Sequence, residues 1–491
     1  MTAETRPNIL VIQTDQHSKR VTGCYGSDTV RTPNVDRLAA EGMRFENAYC
    51  PAPICVPSRM SFMTGRTPSN NRVWTNKNIL SSDVPTWAHV LGKAGYETAL
   101  VGRMHFEGPD QRHGFERRLV SELGFLTGYP GRSEPPWTGE FSGVSGPCRR
   151  SVETSGTGTT QYQQFDEQVT EAAVEYLREQ GRGTDARPFA AVVGYILPHC
   201  PFIAPADLFE YYYDRVDVPH PDGDQPESIE VFRRNRGVLD PPSDERVRIA
   251  RAAYFALCEY VDGLVGRVLE ALERAGLAEE TLVVYCSDHG EMAGEHGCWW
   301  KQNYYEGSVG VPLVARLPGR IEAGSVSDAV VNLTDLGPTF AEVAETNFET
   351  PVDGRSLWPT LTGHHPDDWV DETYSEFVDN MCGDVGPTRM IRSNRWKLWE
   401  YPDADVPPAL FDLEADPNER TDLGRDPRHA DTRERLREKL YDDWDPGAVE
   451  RRCARREDRF RSLSEWGRTV EPDHLESVDF RPRDHDDLEL F

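Results

Sequence analysis

Four short apolar runs stand out along the first part of the chain: Asn8–Ile12, Thr98–Gly102, Phe189–Ile196 and Thr281–Cys286. They are continuous rather than alternating, the pattern of parallel strands covered on both faces. Between them the spacing of apolar positions predicts helices over Thr32–Glu41, Thr86–Ala94, Phe165–Gln180 and Asp244–Ala275, the last amphipathic and followed by Gly276 as a stop. Strands alternating with helices predict an α/β fold, a large, mostly parallel sheet flanked by helices. Gly128–Thr160, rich in Gly, Pro and Ser, and the Pro-rich, charged Asp217–Asp244 are expected to be loops over a site. After about residue 375 the pattern changes. Thr388–Tyr401 reads as one strand, Leu410–Leu413 as another after a turn, and Asp431–Trp444 as a helix. The expected division is therefore an α/β catalytic domain over 1–375, a smaller α+β subdomain over 376–445, and an acidic tail over 446–491.

Each apolar run stops at reactive polar residues. The first leads into Asp15, Gln16 and His17, the second into Arg103 and His105, the third into His199, and the fourth into Asp288 and His289. Ligands of open α/β sheets bind beyond the carboxyl ends of the strands. Four groups from distant parts of the chain are thus expected to converge on one edge.

Charge narrows the partners. The 54 basic and 83 acidic residues give a net −29. That field repels phosphate backbones and anionic lipid, which excludes nucleic acid and membrane surfaces as partners. An anionic substrate then needs a local cationic pocket. Only six of the basic residues are Lys, leaving 48 Arg, a Lys-poor, acid-rich surface of the halophilic type. The ten cysteines include no C-x-x-C pair, so neither a disulfide framework nor a zinc knuckle is expected. No apolar run approaches the ~18 residues of a membrane span, and the first strand begins almost at once. The expectation is a soluble cytoplasmic protein.

One segment carries more specific chemistry. Cys55-Val56-Pro57-Ser58-Arg59 is followed by Thr64-Gly65-Arg66, with Arg59 one helical turn beyond the thiol. Taken with P-N-I-L-V-I-Q-T-D-Q (7–16), G-Y-E-T-A-L-V-G-R-M-H (95–105), P-H-C-P-F (198–202), S-D-H-G-E (287–291), K-Q-N-Y-Y-E-G-S (301–308) and L-F-D-L-E-A-D-P-N-E (410–419), the chain resembles the sulfatase family of the alkaline-phosphatase-like superfamily. The resemblance runs in the family's order from residue 7 to about 423.

The resemblance implies an enzyme that hydrolyses a sulfate ester to an alcohol and inorganic sulfate. It implies that a maturation enzyme converts Cys55 to formylglycine, whose hydrate offers two hydroxyls: one attacks sulfur, and the other expels sulfate afterwards. It places one divalent metal on Asp15, Gln16, Cys55, Asp288 and His289, and this oxygen-rich set suits Ca²⁺, with Mg²⁺ or Mn²⁺ as alternatives. Arg59, Arg103 and Lys301 would neutralise the sulfate. His105 would take a proton from the second hydroxyl, His199 with Lys301 would protonate the leaving oxygen, and Asn76 would lie near the substrate.

Three positions depart from the common family pattern. Arg103 stands where Lys is usual and cannot serve as a titrating group. Gln16 replaces a second Asp, and His289 replaces Asn. These departures, with H-F-E-G-P-D-Q-R-H-G-F-E (105–116), resemble the choline-sulfatase and phosphonate-monoester-hydrolase branch. A choline cation would want a carboxylate and aromatic rings, for which Tyr129, Trp137 and Tyr162 are candidates; carbohydrate, alkyl and aryl sulfates compete with it. A phosphonate monoester or phosphodiester hydrolase is the alternative reading. If Cys55 stays a thiol, a metal-stabilised anion-binding protein is a third. Homo-oligomers are compatible with all three.

Overall fold

The computed structural model describes residues 6–122, 148–183, 187–221, 223–364, 366–379 and 385–470. Eight strands form the main sheet: β1 (Asn8–Thr14), β2 (Met43–Tyr49), β3 (Glu97–Gly102), β4 (Arg117–Val120), β5 (Phe189–Gly194), β6 (Thr281–Ser287), β7 (Leu313–Arg316) and β8 (Ser325–Asn332). Their order across the sheet is β8-β2-β7-β6-β1-β5-β3-β4, and only β7 runs antiparallel to its neighbours. All four apolar runs lie side by side as β6-β1-β5-β3, in the middle of the sheet.

Alternation within β1 shows why these strands are apolar throughout. Ile9 and Val11 pack into one layer with the helices Cys55–Thr64, Trp87–Lys93 and Leu336–Val343. Leu10 and Ile12 pack into the opposite layer with Pro33–Ala40, Gln161–Gly181 and Asp244–Arg274. Both faces are dry, so a polar residue is tolerated only where the strands end, and there the reactive residues collect.

The second sheet is antiparallel, in the order β9 (Glu372–Asp379), β10 (Val385–Ser393), β11 (Trp396–Glu400) and β12 (Ala409–Asp412). It corrects the expected single strand Thr388–Tyr401, which is a hairpin turning at Asn394, a residue in left-handed backbone (φ 50°). Asn tolerates that conformation nearly as Gly does, without a Gly or Pro to flag the turn. The division drawn at 375/376 falls inside β9. The Asp217–Asp244 stretch, expected as loop, contains a helix over Glu227–Asn235 whose Ile229 and Phe232 are buried. The expected helix ends at Tyr441, and the first part of the expected acidic tail is a further helix, Pro446–Val470. That helix has seven Arg against four Asp and Glu. Its Val449 and Cys453 pack on Trp74, Val378 and Trp444.

A buried ion network joins the two sheets. Glu306, beyond the site segment 301–305, accepts from Lys19 Nζ at 2.9 Å and from Lys397 Nζ of β11 at 3.0 Å; Lys397 also pairs with Glu419. Lys397 and Glu419 have no solvent exposure. Lys397→Met should therefore leave two buried carboxylates short of a cation and destabilise the fold by about 3 kcal/mol. Burial pushes the Glu419 carboxyl up, with Lys397 opposing, so Glu419 can take a proton as pH falls. The loss should be smaller at pH 5 than at pH 8, and urea unfolding of both proteins at the two pH values measures it.

Candidate active site

The four strand ends do meet. Asp15 follows β1, Asp288 and His289 follow β6, and Cys55 opens the Cys55–Thr64 helix. One ligand atom from each of these four residues lies within 4.8 Å of the others, and all four residues are buried. Cys55 Sγ is 3.2 Å from His289 Nε2 and 3.7 Å from Asp15 Oδ1. His289 donates Nδ1–H to Gly290 O (3.1 Å), which leaves the Nε2 lone pair aimed at the cluster. Two carboxylates, an imidazole nitrogen and the residue-55 side chain form a donor set fit for one divalent cation.

The C-V-P-S-R segment works chiefly by holding this cluster. Ser58 Oγ donates to Asp288 O (2.5 Å). Arg59 Nε donates to Asp288 Oδ2 (2.8 Å), Nη2 to Asp15 Oδ2 (3.2 Å) and Nη1 to Gln13 Oε1 (2.9 Å). Arg59 is wholly buried and committed to the two carboxylates. In this arrangement it balances and orients the two carboxylates of the cluster. Burial would raise the Asp15 carboxyl, but the Arg103 and Arg59 guanidiniums hold it well below the usual carboxylate range. Asn76 Oδ1 accepts the Val56 N–H (3.0 Å), one of the orphan donors at the start of the Cys55–Thr64 helix.

Arg103 keeps one guanidinium nitrogen, Nη1, outside its hydrogen bonds, 3.7 Å from Glu122 Oε2. Its Nε donates to Asp15 Oδ2 (2.7 Å) and Nη2 to His105 Nδ1 (2.8 Å), while Nη1 is buried without a hydrogen-bond partner. Because a guanidinium only donates, His105 Nδ1 is the acceptor and its proton sits on Nε2, 3.7 Å from Glu107. Burial and then Arg103 push the His105 imidazole well down. The ring is neutral, and it can take a proton at Nδ1 only in exchange for the Arg103 bond.

Lys301 Nζ donates to Gln16 Oε1 and to His199 Nε2 (2.7 Å); His199 Nδ1–H donates to Cys200 O (2.6 Å). Burial and Lys301 lower the imidazole, so His199 is neutral and its tautomer is set by these two bonds. Burial opposes the Lys301 charge, yet Cys55, Cys200, Asp15 and Asp288 outweigh it and raise the ammonium. Gln16 Nε2 donates to Glu291 (2.5 Å). Its side chain therefore spans Lys301 and Glu291, and what it can still offer a cation is the second lone pair of Oε1.

Backbone strain gathers here. Gln16 (φ 72°), His105 (φ 58°), Trp300 (φ 63°) and Gln302 (φ 69°) are all left-handed, each costing on the order of 1 kcal/mol. Supports not foreseen from sequence hold them. Tyr254 donates to Gln16 O (2.8 Å), and Glu122 Oε1 accepts the N–H groups of Met104 (2.6 Å) and His105 (2.5 Å). Asp166 accepts those of Ile196 and Leu197 (2.9 Å each), just before His199. Of the aromatic candidates, Tyr162 stands edge-on to His199, ring centroids 6.2 Å apart; Tyr129 and Trp137 lie outside the described residues.

Comparison with known proteins agrees with this geometry. The profile described as "Sulfatase" matches residues 7–346, and one described as "N-sulphoglucosamine sulphohydrolase, C-terminal" matches 294–444. A choline-sulfatase of Rhizobium meliloti (strain 1021) is 35% identical over 443 residues, covering 86% of this chain and 83% of its own. Arylsulfatase K of Gallus gallus is 30% identical over 455 residues, 85% of this chain and 79% of its own. The solved phosphonate monoester hydrolase of Agrobacterium radiobacter superposes with a TM-score of 0.71 at 26% identity, over 89% of this chain and 95% of that one.

Proposed function

The chain belongs to the sulfatase family and is a sulfatase-type hydrolase acting through a Cys55-derived nucleophile; from that premise we propose that its substrate is the sulfate monoester of a small alcohol, choline sulfate first. The observation that carries a sulfate anion is Arg103 Nη1, a buried donor with no hydrogen-bond partner, beside Asp15 and 3.7 Å from Glu122 Oε2, on a chain of net charge −29. Choline as the alcohol is supported by the 35% identity to a choline-sulfatase over 443 residues.

In this reading Asp15, Asp288, His289 and residue 55 hold the cation, with Gln16 Oε1 as a further oxygen. A bound divalent ion, Ca²⁺ on this donor set and otherwise Mg²⁺ or Mn²⁺, polarises sulfate oxygens and acidifies the nucleophile. Formylglycine at position 55, made by a maturation enzyme, supplies that nucleophile. The chain's own groups do the rest. Arg103 Nη1 and Lys301 bind the sulfate oxygens, and Asn76 keeps the start of the Cys55 helix in register. Lys301, steadied by His199, delivers a proton to the departing oxygen. His105, neutral, accepts a proton at Nδ1 as Arg103 turns to the sulfate. The unbridged thiols of Cys24, Cys50, Cys258 and Cys286 suit a reducing compartment, in keeping with a cytoplasmic enzyme.

The phosphonate reading is favoured by the Agrobacterium radiobacter likeness. Protein with a verified aldehyde at position 55 should be assayed on choline sulfate, 4-nitrophenyl sulfate and a phenyl phosphonate monoester. We expect kcat/KM for choline sulfate to exceed that for the phosphonate by at least about a hundredfold. The reverse order would replace this proposal with the phosphonate one.

A further inference from the structure

One chain of hydrogen bonds crosses the site with every donor assigned. It starts at Glu291, which is buried. Glu291 Oε1 accepts the N–H groups of Ala293 (2.8 Å) and Trp300 (2.6 Å), and Oε2 accepts from Gln16 Nε2 (2.5 Å). An ammonium can only donate, and the Lys301 bond to Gln16 settles which way the Gln16 amide faces. Its nitrogen must point to Glu291 and its oxygen to Lys301. Lys301 then spends one N–H on Gln16 Oε1 and a second on His199 Nε2, which commits His199 Nδ1–H to Cys200 O. One N–H of the ammonium is left over. Glu291 also grips the strained turn directly, because Trp300 precedes Lys301 and its left-handed backbone is pinned by Oε1 and by the Met292 N–H donating to Trp300 O (2.9 Å).

We propose that Glu291 is a positioning residue for leaving-group protonation, acting through the Gln16 amide and the Trp300 N–H to hold the third proton of Lys301 for the departing oxygen. The inference rests on the sulfate-ester reading above. In the step concerned an oxygen of residue 55 forms a bond to sulfur as the S–O bond to the alcohol breaks, and the electron pair of the broken bond leaves with the alcohol oxygen. The Lys301 proton completes the alcohol, and the amine that remains is reprotonated from solvent water. Glu291 touches neither substrate nor reacting atoms.

Glu291→Gln tests this with almost no change of shape. The new side chain keeps an oxygen for the two backbone donors but sets an NH₂ group against the NH₂ group of Gln16. Gln16 must turn over, and its N–H groups then face the Lys301 ammonium. A 4-nitrophenolate leaves without a proton, whereas an alkoxide needs one. Turning Gln16 over also withdraws its Oε1 from the cation and slows both substrates alike, so on enzyme with a verified aldehyde the reading is the ratio: kcat for choline sulfate should fall about thirtyfold further than kcat for 4-nitrophenyl sulfate. Adding Gln16→Glu restores an acceptor toward both the new amide at position 291 and Lys301, and should recover the alkyl-to-aryl ratio. If both substrates lose the same factor, or neither loses any, the positioning role is overturned. Should Glu291→Gln not fold, Glu291→Asp, which draws the carboxylate back from Gln16 at constant charge, must show the same selective loss or the role is likewise overturned. A wild type inert on both sulfates would instead overturn the substrate reading, before any variant is compared.

Discussion

Cys55→Ser should release at most one equivalent of alcohol per chain and then stop, a fall in steady turnover on the order of 10⁴-fold or more. The serine hydroxyl would stand where Sγ does, 3.2 Å from His289 Nε2 and 3.7 Å from Asp15 Oδ1, at the head of a wholly buried helix. Nothing in the packing opposes it, so folding should be unchanged. A serine oxygen can attack sulfur, but the ester it forms carries no second hydroxyl to expel sulfate. The product is a dead end, recognised by mass as sulfate on the peptide carrying residue 55. Wild-type chain that has kept its thiol should be as inactive, without the burst. Sustained turnover by the serine variant at a rate near that of the matured wild type would show that the Cys-derived group is not the nucleophile.

The parts of this site legible in the sequence are those that physics confines to strand ends. β1, β3, β5 and β6 are dry on both faces, so their apolar runs stop sharply, and Asp15, Arg103, His199 and Asp288 stand out against them. β2 (Met43–Tyr49) and β8 (Ser325–Asn332) give no such signal because β8 is the edge strand and β2 lies next to it, and they carry Arg, Glu, Ser and Asp at partly exposed positions. The Asn394 hairpin and the Pro446–Val470 helix are hidden for related reasons. A left-handed Asn marks no turn by composition alone, and the helix buries only Val449 and Cys453 while presenting Arg along much of the rest. Glu122, Asp166 and Glu291 are invisible as supports because an isolated acidic residue reads as solvated surface. What makes each of them structural is the pair of backbone N–H groups it accepts, and these come from turns that only the folded chain displays. Arg59 shows the converse. The residue type and its spacing from Cys55 signal the site, but its partners, Asp15, Asp288 and Gln13, appear only in the folded chain.

Asp15→Asn should cost turnover at least about 10³-fold and fold stability about 3 kcal/mol, because one side chain answers to two sets of partners. Oδ2 accepts from Arg103 Nε (2.7 Å) and Arg59 Nη2 (3.2 Å), and Oδ1 faces the metal cluster. An amide of the same shape can offer only one oxygen. Either the two buried arginines lose their shared acceptor, or the cluster receives an NH₂ group that cannot bind a cation. The sign of the pH dependence follows from the carboxyl being held well below its ordinary value. Its stabilising contribution is complete above the unfolded pKa of roughly 3.9 and is lost only as pH falls from there through the folded value. The stability gap between wild type and variant should therefore be constant from pH 8 to about 5 and narrow below that. Metal separates the two roles. A divalent ion at a hundredfold excess over its Kd should stabilise the wild type by about 2.7 kcal/mol and the variant not at all, as read by thermal melts with and without chelator. An Asp15→Asn protein that keeps both its activity and its metal-dependent rise in Tm would remove Asp15 from the site; one that keeps the rise but loses activity would leave the cation on Asp288, His289 and residue 55, with Asp15 acting only through Arg103.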